Sequence, residues 1–119
     1  PDRLTAARDF ARDHHCILVL KGWGTITAAP DGSAWVNTTG GPGMAKGGSG
    51  DVLAGMLAAL LGQKHLGREG GNAPELAADA VFYHGAAGDA CARELGEYAM
   101  LPTDVVEAIP QVLRQWSER

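Results

Sequence analysis

Hydrophobic and polar positions along this chain predict three to four helices and a small sheet. Apolar residues recur at helical spacing in Asp2–Asp13, from Ser49 to a terminator at Gly62, in Pro74–Leu95, and after a cap at Thr103 or Asp104. Pro110 is expected to kink or split the last helix. A stripe of small residues along the third helix, which includes Gly88, predicts that this helix packs closely on a neighbour.

Two further patterns predict strands. Cys16–Leu20 is a continuous apolar run that is too short for a helix, which predicts a strand buried on both faces. The Asp31-Gly32 pair lies between two β-prone segments, and this predicts a hairpin in which Thr25–Ala29 pair with Ala34–Asn37. Helices that alternate with buried strands indicate the α/β class.

The most informative stretch runs from Asn37 to Gly55. It begins as a glycine-dense loop and becomes helical at Ser49, with Asp51 where loop and helix meet. Glycines allow close approach of the backbone to a ligand, and the free N–H groups of a helix start favour anions, usually phosphate. The alternative is a flexible surface loop before an ordinary helix.

A second group of hydrogen-bond donors follows the strand Cys16–Leu20. In Lys21-Gly22-Trp23-Gly24-Thr25, an ammonium, backbone N–H groups and a hydroxyl could all bind phosphate. A simple turn with a solvated lysine is the alternative. Because the predicted hairpin brings this segment and the glycine loop to one end, the two are expected to converge.

Common phosphate motifs do not explain the glycine loop. Lys46 is followed by Gly47 rather than by Ser or Thr, and no G-x-G-x-x-G register can be drawn. What remains is Gly47-Gly48-Ser49-Gly50-Asp51, in which amides could stabilise a transferring phosphoryl group while Asp51 accepts a proton from a hydroxyl. Phosphoryl transfer to an alcohol is therefore the reaction class that these residues favour. His84 is interpreted as a core histidine rather than a catalytic one.

Net charge, apolar runs and cysteine spacing exclude several classes of function. The net charge of −4 provides no broad surface for nucleic acid, and no apolar run reaches membrane-spanning length. Cys16 and Cys91 fit no metal-ligand spacing and are interpreted as reduced thiols. We therefore expect a single cytoplasmic domain with a small-molecule ligand, no dedicated protein metal site and no membrane partner.

The chain also resembles the ADP/ATP-dependent NAD(P)H-hydrate dehydratases of the ribokinase-like superfamily. The resemblance lies in Asn37-Thr38-Thr39-Gly40, Gly41-Pro42-Gly43-Met44-Ala45, Gly47–Gly55, Leu20–Thr25 and His84-Gly85-x-Ala87-Gly88-Asp89. The Gly-Pro-Gly-Met-Ala insert is its specific part, since the Gly-x-Gly-Asp core alone fits many kinases of the superfamily.

The resemblance implies a nucleotide repair reaction, in which hydrated NADH or NADPH is dehydrated at the expense of ADP or ATP with Mg²⁺. It implies that ADP is bound by Lys21, Gly22, Trp23, Gly24, Thr25, Gly47, Gly48 and Gly50, and that Asp51 contacts the hydrated substrate as the catalytic residue. Phosphorylation of the substrate hydroxyl would convert it into a better leaving group, which explains a kinase-like site in a dehydratase.

The resemblance further implies that residues 1–119 are the carboxyl-terminal portion of one three-layer ribokinase-like domain. Further substrate contacts, a fused or partner epimerase domain and a homo-oligomer are then expected, and the segment alone is expected to be incomplete as an enzyme. Two other functions stay open from the residues: a ribokinase-like vitamin or sugar kinase, and a non-catalytic nucleotide-binding module.

Overall fold

The computed structural model describes residues 2–44, 48–65 and 72–117. Their helices are α1 (Arg3–His14), α2 (Ser49–His65), α3 (Ala73–Leu95) and α4 (Pro102–Ser117), and a short 3-10 turn covers Pro42–Met44. The strands β1 (Leu18–Leu20), β2 (Ile26–Ala28) and β3 (Ala34–Val36) form one antiparallel sheet in the order β1-β2-β3. Within these residues, no helix is both long and apolar enough to cross a membrane.

The hairpin forms where the Asp31-Gly32 pair predicts it. The Ala29 N–H donates to the Ser33 carbonyl at 2.9 Å, and the Ser33 N–H donates to the Asp31 carboxylate at 2.8 Å. Gly32 has a φ of +96°, a conformation that an L side chain rarely adopts. The turn therefore sets the register of β2 against β3.

Strand β1 is shorter and more exposed than its apolar run predicts. Only Leu18–Leu20 are extended, and all three are half-buried rather than buried on both faces. The reason is position, because in the described part of the chain β1 pairs only with β2 and lies at an edge. The prediction of a strand buried on both faces is wrong for these residues.

The centre of the sheet lies between two helices. Ala7 and Ala11 of α1 are buried against Ile26 and Ala28 on one face of β2. On the opposite face Thr27 is buried, and this face looks toward α3. Strand β2, which follows the Lys21–Thr25 segment, is thus packed against a helix on each face.

Two predicted helix ends do not occur. Helix α2 continues through Gly62 to His65, and α4 is not split at Pro110. A glycine costs a helix only about 1 kcal/mol, which is too little to end it by itself. Val105 and Val112, on either side of the proline, are both buried in the core that α4 shares with α3. Tertiary contacts therefore carry α4 past a residue that sequence rules interpret as a stop.

The helix starts depend on side-chain caps. Asp2 accepts hydrogen bonds from the N–H groups of Leu4 and Thr5 at 3.0 and 3.3 Å, so it is the cap of α1 rather than its first residue. Asn72 caps α3 in the same way. Asp104 accepts the Leu101 N–H at 2.8 Å, so its carboxylate reaches back over the start of α4 from inside the helix.

The core of α3 and α4 contains Cys91. Both cysteines are free, Cys91 buried and Cys16 half-buried. Burial raises the pKa of the Cys91 thiol, and the carboxylates of Asp104, Glu94 and Glu107 raise it further. Cys91 therefore behaves as a small apolar side chain of the core.

Candidate active site

The Lys21–Thr25 segment is an ordered turn between β1 and β2. Gly22 and Gly24 have φ values of +150° and +66°, which glycine adopts without strain. The Thr25 hydroxyl donates to the Gly22 carbonyl at 3.2 Å. Trp23 is 91% exposed, so its indole is free to meet a ligand.

The glycine loop becomes helical at Ser49, as the pattern predicts. Gly48 has a φ of +95°, and its carbonyl accepts the N–H groups of Asp51 and Val52 at 3.1 and 3.2 Å. Gly48 therefore lies at the cap position of α2, and the amides of Ser49 and Gly50 lie at its positive end. Gly47, with Ala45 and Lys46, falls outside the described residues.

The two segments meet at Lys21 and Gly50. A Cβ built on Gly50 would lie 2.7 Å from the Nζ atom of Lys21. The ammonium therefore lies directly over the first turn of α2, in a space that exists because residue 50 has no side chain. Two sources of positive potential, the Lys21 charge and the helix start, thus act at one place.

Asp51 is exposed in the first turn of α2, one residue beyond Gly50. Among the described residues it forms no ion pair. The carboxylate is therefore available to a ligand, beside the place where Lys21 and the helix start would attract an anion.

Helix α3 holds the beginning of the glycine loop. The Thr39 hydroxyl donates to the Phe82 carbonyl at 2.9 Å, and the Gly40 N–H donates to the Asp89 carboxylate at 3.0 Å. Asn37 closes the same turn by accepting the Thr39 N–H at 3.3 Å. Sequence reasoning gave Asp89 and Thr39 no structural role, although both lie in segments that carry the family resemblance.

Two glycines of α3 allow this approach. A Cβ on Gly85 would overlap the side chain and backbone of Thr39, and a Cβ on Gly88 would overlap Met44. The stripe of small residues in α3 predicts close packing, and this packing is confirmed. Gly85 and Gly88 pack on the loop, whereas Ala87 and Cys91 pack on α4, and no spacing rule could identify these partners.

His84 is buried next to the place where Lys21 meets the start of α2. It is 8% exposed, its imidazole hydrogen-bonds the backbone of Ser49, and its Nε2 atom has no partner among the described residues. Burial lowers the pKa of His84 below the ordinary value of 6.5, and the nearby charge of Lys21 lowers it further. His84 is thus a buried neutral residue, and it also joins α3 to the start of α2.

A cavity of about 200 Å³ lies between the sheet and α3. Its walls are mostly apolar, and Asn37 and Thr38 line it where the glycine loop begins; the other lining residues are Thr27, Trp35, Val36, Ala78, Asp79, Val81 and Phe82. Polar side chains line this cavity from three elements: Thr27 of β2, Asn37 and Thr38 of the glycine loop, and Asp79 of α3.

Comparison with known proteins identifies the family. The family model for NAD(P)H-hydrate dehydratase matches residues 1–111. This chain belongs to the NAD(P)H-hydrate dehydratase family. Its relatives include the bifunctional NAD(P)H-hydrate repair enzyme Nnr of Moorella thermoacetica, 47% identical over 117 residues, which are 98% of this chain and 21% of that protein. The ADP-dependent (S)-NAD(P)H-hydrate dehydratase of Bacillus subtilis is 31% identical over 96% of this chain and 39% of that protein.

A solved structure of the family superimposes on this chain. The ADP/ATP-dependent NAD(P)H-hydrate dehydratase of Bacillus subtilis, co-crystallised with ATP and Mg²⁺, matches with a TM-score of 0.85 and 32% identity. The match covers 97% of this chain and 39% of that dehydratase. The chain thus matches ribokinase-like dehydratase structures while spanning well under half the length of these NAD(P)H-hydrate dehydratase relatives.

The α3–loop contact predicts that Gly85→Ala destabilises the fold. The added methyl group overlaps Thr39, and overpacking of this kind costs about 1–3 kcal/mol in the free energy of unfolding. Urea denaturation measures the loss. The matched control is Gly62→Ala, where a Cβ meets nothing within 4 Å, so a gain of roughly 0.5–1 kcal/mol is expected. Equal stability of the two variants would contradict the contact.

The environment of His84 predicts acid sensitivity. Because its pKa is lowered in the folded state, the unfolded chain binds a proton more readily below pH 6.5. The free energy of unfolding should therefore fall as the pH drops below that value and should not change through this group above it. Urea denaturation across about pH 5 to 7.5 measures the slope.

The variant His84→Gln should flatten this profile, while His65→Gln, at the exposed end of α2, should leave it in place. Identical acid slopes in the wild-type protein and in His84→Gln would show that another group is responsible.

Proposed function

We propose that this segment binds the phosphates of ADP or ATP and takes part in the nucleotide-dependent dehydration of hydrated NAD(P)H. The observation that carries the proposal is the position of the Lys21 ammonium over Gly50, at the start of α2. Family membership supports the reaction. The Bacillus subtilis relatives are named as ADP-dependent and ADP/ATP-dependent dehydratases, which supports ADP or ATP as the nucleotide.

The residues present fit a nucleotide. No side chain separates the Lys21 ammonium from the first turn of α2, so one phosphate lying beside them could be bound by both. In this proposal the phosphates are bound by Lys21, Gly22, Gly24, Thr25, Gly47, Gly48 and Gly50, while exposed Trp23 borders them. The nucleotide base would occupy the cavity beside Asn37 and Thr38.

Magnesium would accompany the nucleotide. In the described part of the chain no group of three or more His, Cys, Asp or Glu side chains could hold a metal ion. Mg²⁺ is commonly held by phosphate oxygens and waters with few protein ligands, so this donor set fits an ion carried by the nucleotide. The co-crystallisation of the Bacillus subtilis relative with ATP and Mg²⁺ supports the same view.

Asp51 is proposed as the catalytic residue. Its exposed carboxylate follows Gly50 directly, so a substrate hydroxyl placed near the phosphates would lie within its reach. There it would accept or orient the hydroxyl proton, a contribution of about 10²–10⁴-fold in rate. Transfer of the terminal phosphoryl group of ADP or ATP to that hydroxyl gives a phosphate ester, whose phosphate is a better leaving group than hydroxide. Loss of inorganic phosphate from one ring carbon and of a proton from the next then restores the dihydronicotinamide ring.

The remaining parts of the proposal extend beyond this chain. The relatives are longer, so we propose that this segment is the carboxyl-terminal portion of a ribokinase-like domain and that the rest supplies further substrate contacts. An epimerase domain and a homo-oligomer are proposed with it, and the bifunctional name of the Moorella thermoacetica relative is compatible with a second activity.

Replacing Asp51 with Asn should separate binding from turnover. In the full-length protein we expect an ADP dissociation constant within about twofold of wild type and a loss of at least 100-fold in kcat, because the amide cannot accept the proton. The assay follows the recovery of nicotinamide absorbance from hydrated NADH with ADP. Asp13→Asn on α1 is the matched control. Turnover near wild type in Asp51→Asn would refute the catalytic role.

Replacing Gly50 with Ala should weaken the nucleotide site without unfolding it. The new methyl group would displace the Lys21 ammonium, which is the end of a flexible side chain, so stability should change little. The ADP dissociation constant should rise about tenfold, equivalent to about 1.4 kcal/mol. Calorimetry with ADP and Mg²⁺ measures it, and Gly62→Ala is the control. An unchanged dissociation constant would show that ADP does not use this space.

A further inference from the structure

A side chain from outside the candidate site holds the Lys21–Thr25 segment. Arg3, the first residue of α1, donates from Nη1 to the Trp23 carbonyl at 2.7 Å, and its Nη2 atom lies 3.5 Å from the Lys21 carbonyl. One guanidinium thus spans both sides of Gly22. The rigid fork of arginine suits two acceptors at once, whereas an ammonium presents a single point charge.

Gly22 is part of the same arrangement. A Cβ at this position would lie 2.8 Å from the Nη2 atom of Arg3, so the glycine leaves room for the guanidinium. The Gly22 carbonyl accepts the Thr25 hydroxyl at 3.2 Å. Three consecutive carbonyls, those of residues 21, 22 and 23, are therefore occupied by Arg3 and Thr25.

Fixing these carbonyls also fixes the amides that follow them. In a planar trans peptide, the C=O of one residue and the N–H of the next point in opposite directions. The carbonyls of residues 21–23 therefore set the directions of the N–H groups of Gly22, Trp23 and Gly24. Among the described residues these three N–H groups form no hydrogen bond, so they are available to an anion.

The charge of Arg3 is also uncompensated. Within the described part of the chain, no carboxylate forms an ion pair with it, whereas Arg12 on the same helix pairs with Asp9 and Asp13. The guanidinium therefore adds positive potential to the segment that carries Lys21.

We propose that Arg3 is a positioning residue of the nucleotide site. It holds the carbonyls of Lys21 and Trp23 back while Thr25 holds that of Gly22, so that the amides of residues 22–24 face the phosphates. The inference rests on the proposed nucleotide binding, but the ordering of the segment by Arg3 can be measured without any nucleotide. Arg3 itself acts through the backbone and need not touch the reacting atoms.

The test compares Arg3→Ala, Arg3→Lys and a matched control, Arg8→Ala, in the full-length protein. Arg8 lies on the same helix and is exposed, and the variant removes the same charge. The first measurement is the backbone NMR order parameter of residues 22–24 without nucleotide. The second is steady-state kinetics with ADP and hydrated NADH, and melting temperatures give overall stability.

In Arg3→Ala we expect the order parameters of residues 22–24 to fall from about 0.85 to below about 0.6, while Arg8→Ala keeps the wild-type values. The KM for ADP should rise about tenfold, since hydrogen bonds to a charged group are lost. The kcat and the KM for hydrated NADH should stay within about twofold, and the melting temperature should match the control. Arg3→Lys should recover part of both effects, because one of the two carbonyl contacts can be kept.

Order parameters and KM values equal to those of Arg8→Ala would overturn the role of Arg3. A uniform loss of stability and of all kinetic parameters, with no recovery in Arg3→Lys, would also overturn it, since it would indicate a purely structural contact. Lower order parameters in Arg3→Ala combined with no ADP binding by the wild-type protein would instead overturn the proposed function and support the ordering of the segment by Arg3.

Discussion

The candidate site depends on the close approach of the glycine loop to helix α3. That approach is possible because Gly85 and Gly88 have no side chains, so that Thr39 and Met44 occupy the space where Cβ atoms would be. Once the loop lies there, the Asp89 carboxylate and the Phe82 carbonyl anchor it by hydrogen bonds. Residues 37–44 of the loop are thus attached to a long, well-packed helix, which fixes the described part of this glycine-rich segment.

Positive potential at the site is local rather than global. The whole chain carries a net charge of −4, yet the Lys21 ammonium, the Arg3 guanidinium and the start of α2 all lie around one turn. His84, buried beneath them, has a lowered pKa and so adds no charge of its own. Because the imidazole is neutral, it does not repel the Lys21 ammonium, and its hydrogen bond to the backbone of Ser49 still joins α3 to the start of α2.

The arrangement explains how a dehydratase can use a site of kinase type. A phosphate-binding turn needs amides, a cation and a helix start, and all three are supplied here by main chain and one lysine. In the proposed function the chemistry rests on the exposed carboxylate of Asp51, which lies next to them. Family membership supports the proposed reaction, and the geometry supports a division of work between phosphate binding and proton transfer.

Local patterns in the sequence determined much of this structure. Helical spacing predicted the four helices, the Asp31-Gly32 pair predicted the hairpin, and glycines around a carboxylate predicted the helix start at Ser49, because these features depend on neighbouring residues. The continuation of α4 past Pro110 was decided by packing. So were the links from Asp89 to Gly40 and from Arg3 to Trp23, which join residues 49 and 20 positions apart. Such contacts leave no periodic signal, and only the tertiary structure brings them together.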